Sequence, residues 1–192
     1  MADYDAIAQV YLENRTRLKS GKYIQKLLKM LSKNATALDL GCGAGVPVDD
    51  LLIKAGHQVI GMDISPIQIE LARKNCPQGE YGVGDIMNLS KNDYRVEAVV
   101  SFYTWFHLPR NKQGERLELV ASFLPEGGLL LVTMGDREFE GEHALYGERM
   151  WVSQYGTTKN RQMVERAGFT IELDEIDQSG GERHQVIMAR KI

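Results

Sequence analysis

The chain has 192 residues, the size of one ordinary domain, and a chain of that length buries roughly 70% of its unfolded surface without metal or disulfide staples. Apolar residues make up 43% and charged residues 26%, which excludes a disordered or fibrous chain, and no apolar run approaches the ~18 residues of a membrane span. Twenty-three basic against 26 acidic residues give a net charge of −3, which argues against a polyanion such as nucleic acid as the partner.

Asp3 is placed to cap a first helix reaching residue 20, with Tyr4, Ile7, Tyr11 and Leu18 as its apolar positions. A second helix over 21–31 carries Ile24, Leu27, Leu28 and Leu31 on one face. Lys19, Lys22, Lys26, Lys29 and Lys33 fit a solvated face better than a phosphate track. A short apolar strand over 36–40 ends in glycines. A helix over 46–55 follows, with Pro47 early, where a missing N–H costs little. Next come a strand over 57–62 and a helix capped by Ser65, with Pro66 in its first turn. Further strands are expected over 80–83, 96–102 and 127–134, with a helix over 111–124 between the last two.

Residues 135–156 show no clear pattern and are long for a connection, so a loop on the substrate side is expected there. A helix over 157–167 is stopped by Gly168. Strands over 169–176 and 184–189 flank a turn holding Ser179, Gly180 and Gly181, which predicts an antiparallel hairpin. Strands alternating with helices predict a mostly parallel, doubly covered sheet: an α/β, Rossmann-like fold in one domain over 1–192. The acidic start lacks a signal-peptide pattern, and two cysteines suit neither a disulfide framework nor a zinc site. No metal is expected, and a cytoplasmic setting is.

The strongest local signal is Leu38-Asp-Leu-Gly-Cys-Gly-Ala-Gly45. Three alternate glycines after a strand let a ligand approach the backbone closely. Asp63 ends the second strand, where a carboxylate can accept the hydroxyls of a ribose. Both features also suit a nicotinamide dinucleotide. Three others favour a different cofactor. The spacing is G-x-G-x-G, not the G-x-G-x-x-G that brings backbone against pyrophosphate. Asp39 inside the turn would repel pyrophosphate but suit a cation. Asp85 and Ile86, after the third strand, can take an adenine amine and ring. S-Adenosylmethionine (SAM) has the adenine, the ribose and the positive sulfur.

At these residues the chain resembles the small, single-domain class I SAM-dependent methyltransferases. The matching pieces are the glycine turn, Val59-Ile-Gly-Met-Asp-Ile-Ser65, Gly84-Asp-Ile86, Val96-Glu-Ala-Val-Val-Ser101, Phe106-His-Leu-Pro109 and Leu124-Pro-Glu-Gly-Gly-Leu-Leu130. They stand in the family's order and cover roughly residues 35–190. The resemblance implies a seven-stranded sheet whose last strand is antiparallel. It also implies that Asp39, Gly41, Cys42 and Gly43 hold the methionine end of SAM. Asp63 and Ile64 would hold its ribose region, Asp85 and Ile86 its adenine, and Ser101 would stand at the fourth strand tip. The N-terminal helices, 1–33, would cover the cofactor, with Tyr4 on the substrate side and Tyr11 on the cofactor.

His107 is the candidate general base. Phe102, Tyr103 and Phe106 beside it, and Trp151 and Tyr155 further on, are candidates for the substrate pocket. The Pro-Pro-aromatic segment of exocyclic-amine methyltransferases is missing: the fourth strand tip is Ser101-Phe-Tyr-Thr104. A Pro-Cys nucleophile is missing too. These absences point to a small-molecule acceptor methylated on O, N or S by a monomer or homodimer. A nicotinamide-dependent oxidoreductase and a catalytically silent SAM-binding regulator stay open as rivals.

Overall fold

The computed structural model describes residues 4–15, 21–179 and 183–192. Seven strands form one sheet: β1 (Thr36–Leu40), β2 (Gln58–Asp63), β3 (Glu80–Val83), β4 (Ala98–Ser101), β5 (Leu129–Gly135), β8 (Phe169–Asp177) and β9 (His184–Lys191). Their order is β3-β2-β1-β4-β5-β9-β8. The pairings among β1 to β5 are parallel, and β9 is antiparallel to both β5 and β8. The predicted Rossmann-like sheet with its closing antiparallel hairpin is therefore present. The predicted cap Asp3, the 16–20 end of the first helix, and Gly180 and Gly181 of the last turn lie outside the described residues.

Alternation along the buried strands divides the core. Leu38, Leu40, Val99, Leu130 and Val132 pack on α5 (Arg110–Ala121) and α6 (Thr157–Arg166) through Leu117, Val120 and Val164. Ala37, Ala98, Val100, Leu129 and Leu131 face the opposite layer. There they meet Tyr23, Ile24 and Leu27 of α2 (Gly21–Leu28) and Val48 and Leu52 of α3 (Val48–Lys54). This two-sided burial is why the strands are nearly continuous in apolar residues.

Helix ends moved where capping geometry decides. α3 begins at Val48, with Pro47 as its N-cap residue rather than within its first turn. α4 (Pro66–Asn75) starts as predicted, with the Ser65 hydroxyl accepting the Gln68 N–H. α1 (Tyr4–Arg15) packs near α4, and Ser65 Oγ donates to the Asp5 carboxylate.

Residues 139–154 correct the expected loop: they form a second, two-stranded sheet of β6 (Phe139–Leu145) and β7 (Glu148–Gln154). Tyr146 and Gly147 make the two-residue turn, both with positive φ, at 49° and 91°. The strands escaped notice because β6 is mostly exposed and rich in charge. The hairpin is pinned at its base. Gln113 of α5 donates from Nε2 to the carbonyls of Ser153, Leu108 and Trp105 at 2.7, 3.0 and 3.1 Å. Arg110 adds a backbone bond to Ser153 Oγ and ion pairs to Glu138 and Glu140.

Candidate functional site

Strand order reverses direction between β1 and β4, and the cleft opens at the carboxyl tips of these strands and their neighbours. Gly41, Cys42 and Gly43 line it after β1, Asp63 and Ile64 at the end of β2, and Gly84, Asp85, Ile86 and Met87 after β3. Phe102, Tyr103 and Thr104 line it after β4, followed by His107 and Pro109. Leu12 of α1 and Gln68 of α4 complete the wall.

The glycine turn is shaped by its neighbours. Gly41 has φ 79°, and a Cβ there would overlap the Thr104 side chain. Gly43 has φ 54° and donates its N–H to Asp63 Oδ2 at 2.8 Å. Asp63 Oδ1 accepts the Ser65 N–H at 2.9 Å. The carboxylate thus ties the β1 turn to the start of α4 while remaining on the cleft wall. Asp85 is held similarly, its Oδ1 accepting the Met87 N–H at 2.8 Å.

Tyr103 is a bulky residue with φ 56°, a backbone conformation that costs energy and gathers at functional sites. Its ring meets the His184 ring edge-on at 4.9 Å. His107 is half-buried, and its Nδ1 lies 2.9 Å from the Trp151 carbonyl oxygen. A carbonyl only accepts, so Nδ1 donates and Nε2 carries the lone pair of the neutral ring.

Five expected site residues lie off the cleft wall. Asp39 is 2% exposed; strand alternation turns it to the α3 face, beside Asp49. Ser101 is fully buried and donates from Oγ to the Leu40 carbonyl at 2.7 Å, tying β4 to β1. Phe106 is buried between the His107 and His184 rings. The Trp151 side chain is 46% exposed, and only its backbone carbonyl reaches His107. Tyr155 faces Arg110 and Lys159 beside a separate depression. The side chains of Tyr4 and Tyr11 lie outside the described residues. Sequence reasoning missed Thr104, Gln68 and Met87. For Gln68 a signal existed, since Ser65-x-x-Gln68 is a capping pattern at a helix start.

Beneath the turn lies a second acidic group. Asp49 of α3 is fully buried, and its Oδ2, the Cys76 sulfur and the Tyr81 hydroxyl crowd around Gly45. Burial, and then the neighbouring Asp39 carboxyl, holds the Asp49 pKa well above its ordinary value of 3.8. Burial pushes the Cys76 thiol up to about 11, and raises the Cys42 thiol as well, so both stay neutral. Among the described residues no group of three His, Cys, Asp or Glu side chains could hold a metal ion, and no helix is long and apolar enough to cross a membrane.

Comparison with known proteins agrees with this geometry. Residues 37–128 match a family model described as a methyltransferase domain, a span from β1 to the start of β5 that holds every cleft residue except Leu12. The chain is 32% identical over 135 residues to an uncharacterized methyltransferase of Oceanobacillus iheyensis, covering 70% of this chain and 62% of that protein. It is 27% identical over 164 residues to trans-aconitate 2-methyltransferase of Variovorax paradoxus, covering 81% of this chain and 61% of that protein. The chain therefore spans about three fifths of the length of these relatives. Its fold matches the crystal structure of Burkholderia thailandensis 1,6-didemethyltoxoflavin-N1-methyltransferase with a TM-score of 0.73 at 18% identity, covering 98% of this chain and 83% of that one. The strand order, the glycine turn and the matched span agree, and over residues 37–128 the chain is similar to the class I SAM-dependent methyltransferases.

Proposed function

We propose that the protein transfers a methyl group from SAM to an O, N or S atom of a small-molecule acceptor. The observation that carries this reading is the cleft itself. Two strand-tip carboxylates, Asp63 and Asp85, flank an apolar wall of Ile64, Ile86 and Met87, directly beside the glycine turn. The donor set fits the cofactor: Asp63 would accept ribose hydroxyls and Asp85 an adenine amine, with Ile64 and Ile86 against the ring. Gly41, Cys42 and Gly43 would leave room for the amino-acid end. Leu12 on the wall and the Asp5 bond to Ser65 support α1 as a cover over the cofactor.

When bound, SAM supplies an electrophilic methyl group on its sulfonium. The protein then has to align the acceptor and exclude water. Phe102 and Tyr103 would wall the acceptor side. His107 Nε2, oriented by the Trp151 carbonyl, would take the acceptor's proton where the acceptor carries one. The net charge of −3 and the apolar-walled cleft favour a small molecule over a nucleic acid. The didemethyltoxoflavin and trans-aconitate enzymes, by their names, methylate small molecules. The two free, buried thiols, Cys42 and Cys76, suit a reducing cytoplasm.

Methyl-labelled SAM incubated with the protein and a metabolite extract tests the reading. A labelled small product is expected. Label recovered in RNA or protein would overturn the acceptor class. Binding of S-adenosylhomocysteine without transfer to any pool would favour the silent regulator, and binding of NADH instead would favour the oxidoreductase.

A further inference from the structure

His107 and the carbonyl that orients it come from separate parts of the chain. The ring stands in the short turn Trp105–His107, and the carbonyl belongs to Trp151 of β7. A two-stranded ribbon such as β6–β7 does not hold its own position, being marginally stable at best in isolation. The 2.9 Å bond between them tolerates little movement. Such a bond weakens steeply once its atoms part beyond about 3.2 Å or its angle closes toward about 120°. Turn and ribbon must therefore be held together to within about 0.5 Å.

Gln113 is placed to hold them. It is the fourth residue of α5 and 1% exposed, and its Nε2 meets the carbonyls of Trp105, Leu108 and Ser153. Trp105 and Leu108 bracket His107 in sequence, so these two bonds fix the backbone that carries the ring. The bond to Ser153 grips the ribbon two residues beyond Trp151. In an antiparallel ribbon a residue's N–H and C=O leave by one edge, and the edge alternates along the strand. The carbonyls of Trp151 and Ser153 therefore leave β7 by the same edge, one toward His107 and the other toward Gln113. The bond to the ribbon is the shortest of the three, at 2.7 Å. A carboxamide nitrogen has two protons for these three acceptors, so one proton is shared. The donor group is thus fully committed to turn and ribbon, and Gln113 stands behind the cleft wall rather than on it.

We infer that Gln113 is the positioning residue of the His107 imidazole. By setting the distance between turn and ribbon, it keeps the Trp151 carbonyl against Nδ1. The proton then stays on Nδ1 and the lone pair on Nε2. This rests on the reading of His107 as the base proposed above.

Nuclear magnetic resonance of the isotope-labelled, unliganded protein tests it, since the ring nitrogens report the tautomer directly. His107→Gln assigns the His107 signals by their loss. The wild type is expected to carry the proton of the neutral ring on Nδ1. Gln113→Met has nearly the same length and no donor. It is expected to lower the ratio of the Nδ1–H to the Nε2–H form about fivefold, as for the loss of one net hydrogen bond. Gln113→Glu, the same shape with at most one proton to donate, is expected to shift the ratio in the same direction. Arg110→Ala removes the ribbon's ion pairs to Glu138 and Glu140 but leaves the three carbonyl bonds, so its ratio should match the wild type. By calorimetry, S-adenosylhomocysteine should bind the wild type and both Gln113 variants within about twofold. An Nε2–H wild type, an unchanged ratio in the Gln113 variants, an equal shift in Arg110→Ala, or a tenfold loss of S-adenosylhomocysteine affinity in the Gln113 variants would each overturn the assignment. A wild type that binds no S-adenosylhomocysteine would instead overturn the cofactor reading, and an unaltered kcat in His107→Ala would overturn the base.

Discussion

Carboxyl groups stand on both sides of the glycine turn, and the two sides differ. On the cleft side, Asp63 is half-buried and accepts two backbone N–H groups, which stabilise its charge. On the underside, Asp49 is fully buried beside Asp39, and its charge is disfavoured. The cleft-side carboxylate is held open to a ligand, whereas the underside pair is packed against the core. One residue type thus serves two ends, and the nearby N–H donors together with the depth of burial decide which.

Removing the cleft-side group should have the largest effect. Asp63→Ala is expected to weaken S-adenosylhomocysteine binding by about tenfold to a hundredfold, as for the loss of a charge-assisted hydrogen bond, measured by calorimetry. Unchanged affinity would erase the functional side of the contrast. His107→Ala comes next. Its kcat is expected to fall by about a hundredfold with cofactor affinity intact, provided the acceptor carries a proton to be removed. Equal kcat in both forms would remove the base.

The underside makes a prediction in pH. Above its ordinary pKa of 3.8, Asp49 is ionised in the unfolded chain but keeps its proton in the folded one. Folding therefore takes up a proton, and this group's contribution to stability falls as pH rises from 3.8 toward the raised folded value. Asp49→Asn keeps a neutral donor beside Asp39 and should flatten the fall of Tm with pH, with the gain over wild type growing toward the alkaline end. A parallel Tm–pH curve for the variant would show that Asp49 is ionised in the fold. The smallest effect is expected for Trp151→Ala. The ring is exposed and its contact with His107 runs through the backbone, so kcat and the acceptor KM should stay within about twofold in steady-state assays. A large rise in KM would place the ring over the acceptor.

How legible each feature was in the sequence follows from how local it is. The Gly41-Cys-Gly43 turn, Asp63 and Asp85 lie at strand ends, where a short motif and its flanking periodicity locate them. Asp39 was misplaced because it sits inside a strand, and only the sheet's alternation shows that it shares the Ala37 face. The β6–β7 hairpin was missed because an exposed, charged strand lacks the apolar alternation that marks a half-buried one. Trp151 and Tyr155 were grouped with the pocket as aromatics in a connecting segment. The hairpin's register and its anchorage to Gln113 and Arg110 set where they point.

The sequence by itself therefore determined the alternating α/β architecture, the glycine turn and the acids that follow β2 and β3, because each depends on contacts within a few residues. Only the tertiary structure decided which carboxyl faces the cleft and which is sealed beneath it. It also decided that a hairpin carbonyl fixes the tautomer of His107 and that Gln113 joins that hairpin to the turn carrying the ring. Those outcomes depend on burial and on groups distant in sequence brought within hydrogen-bond reach.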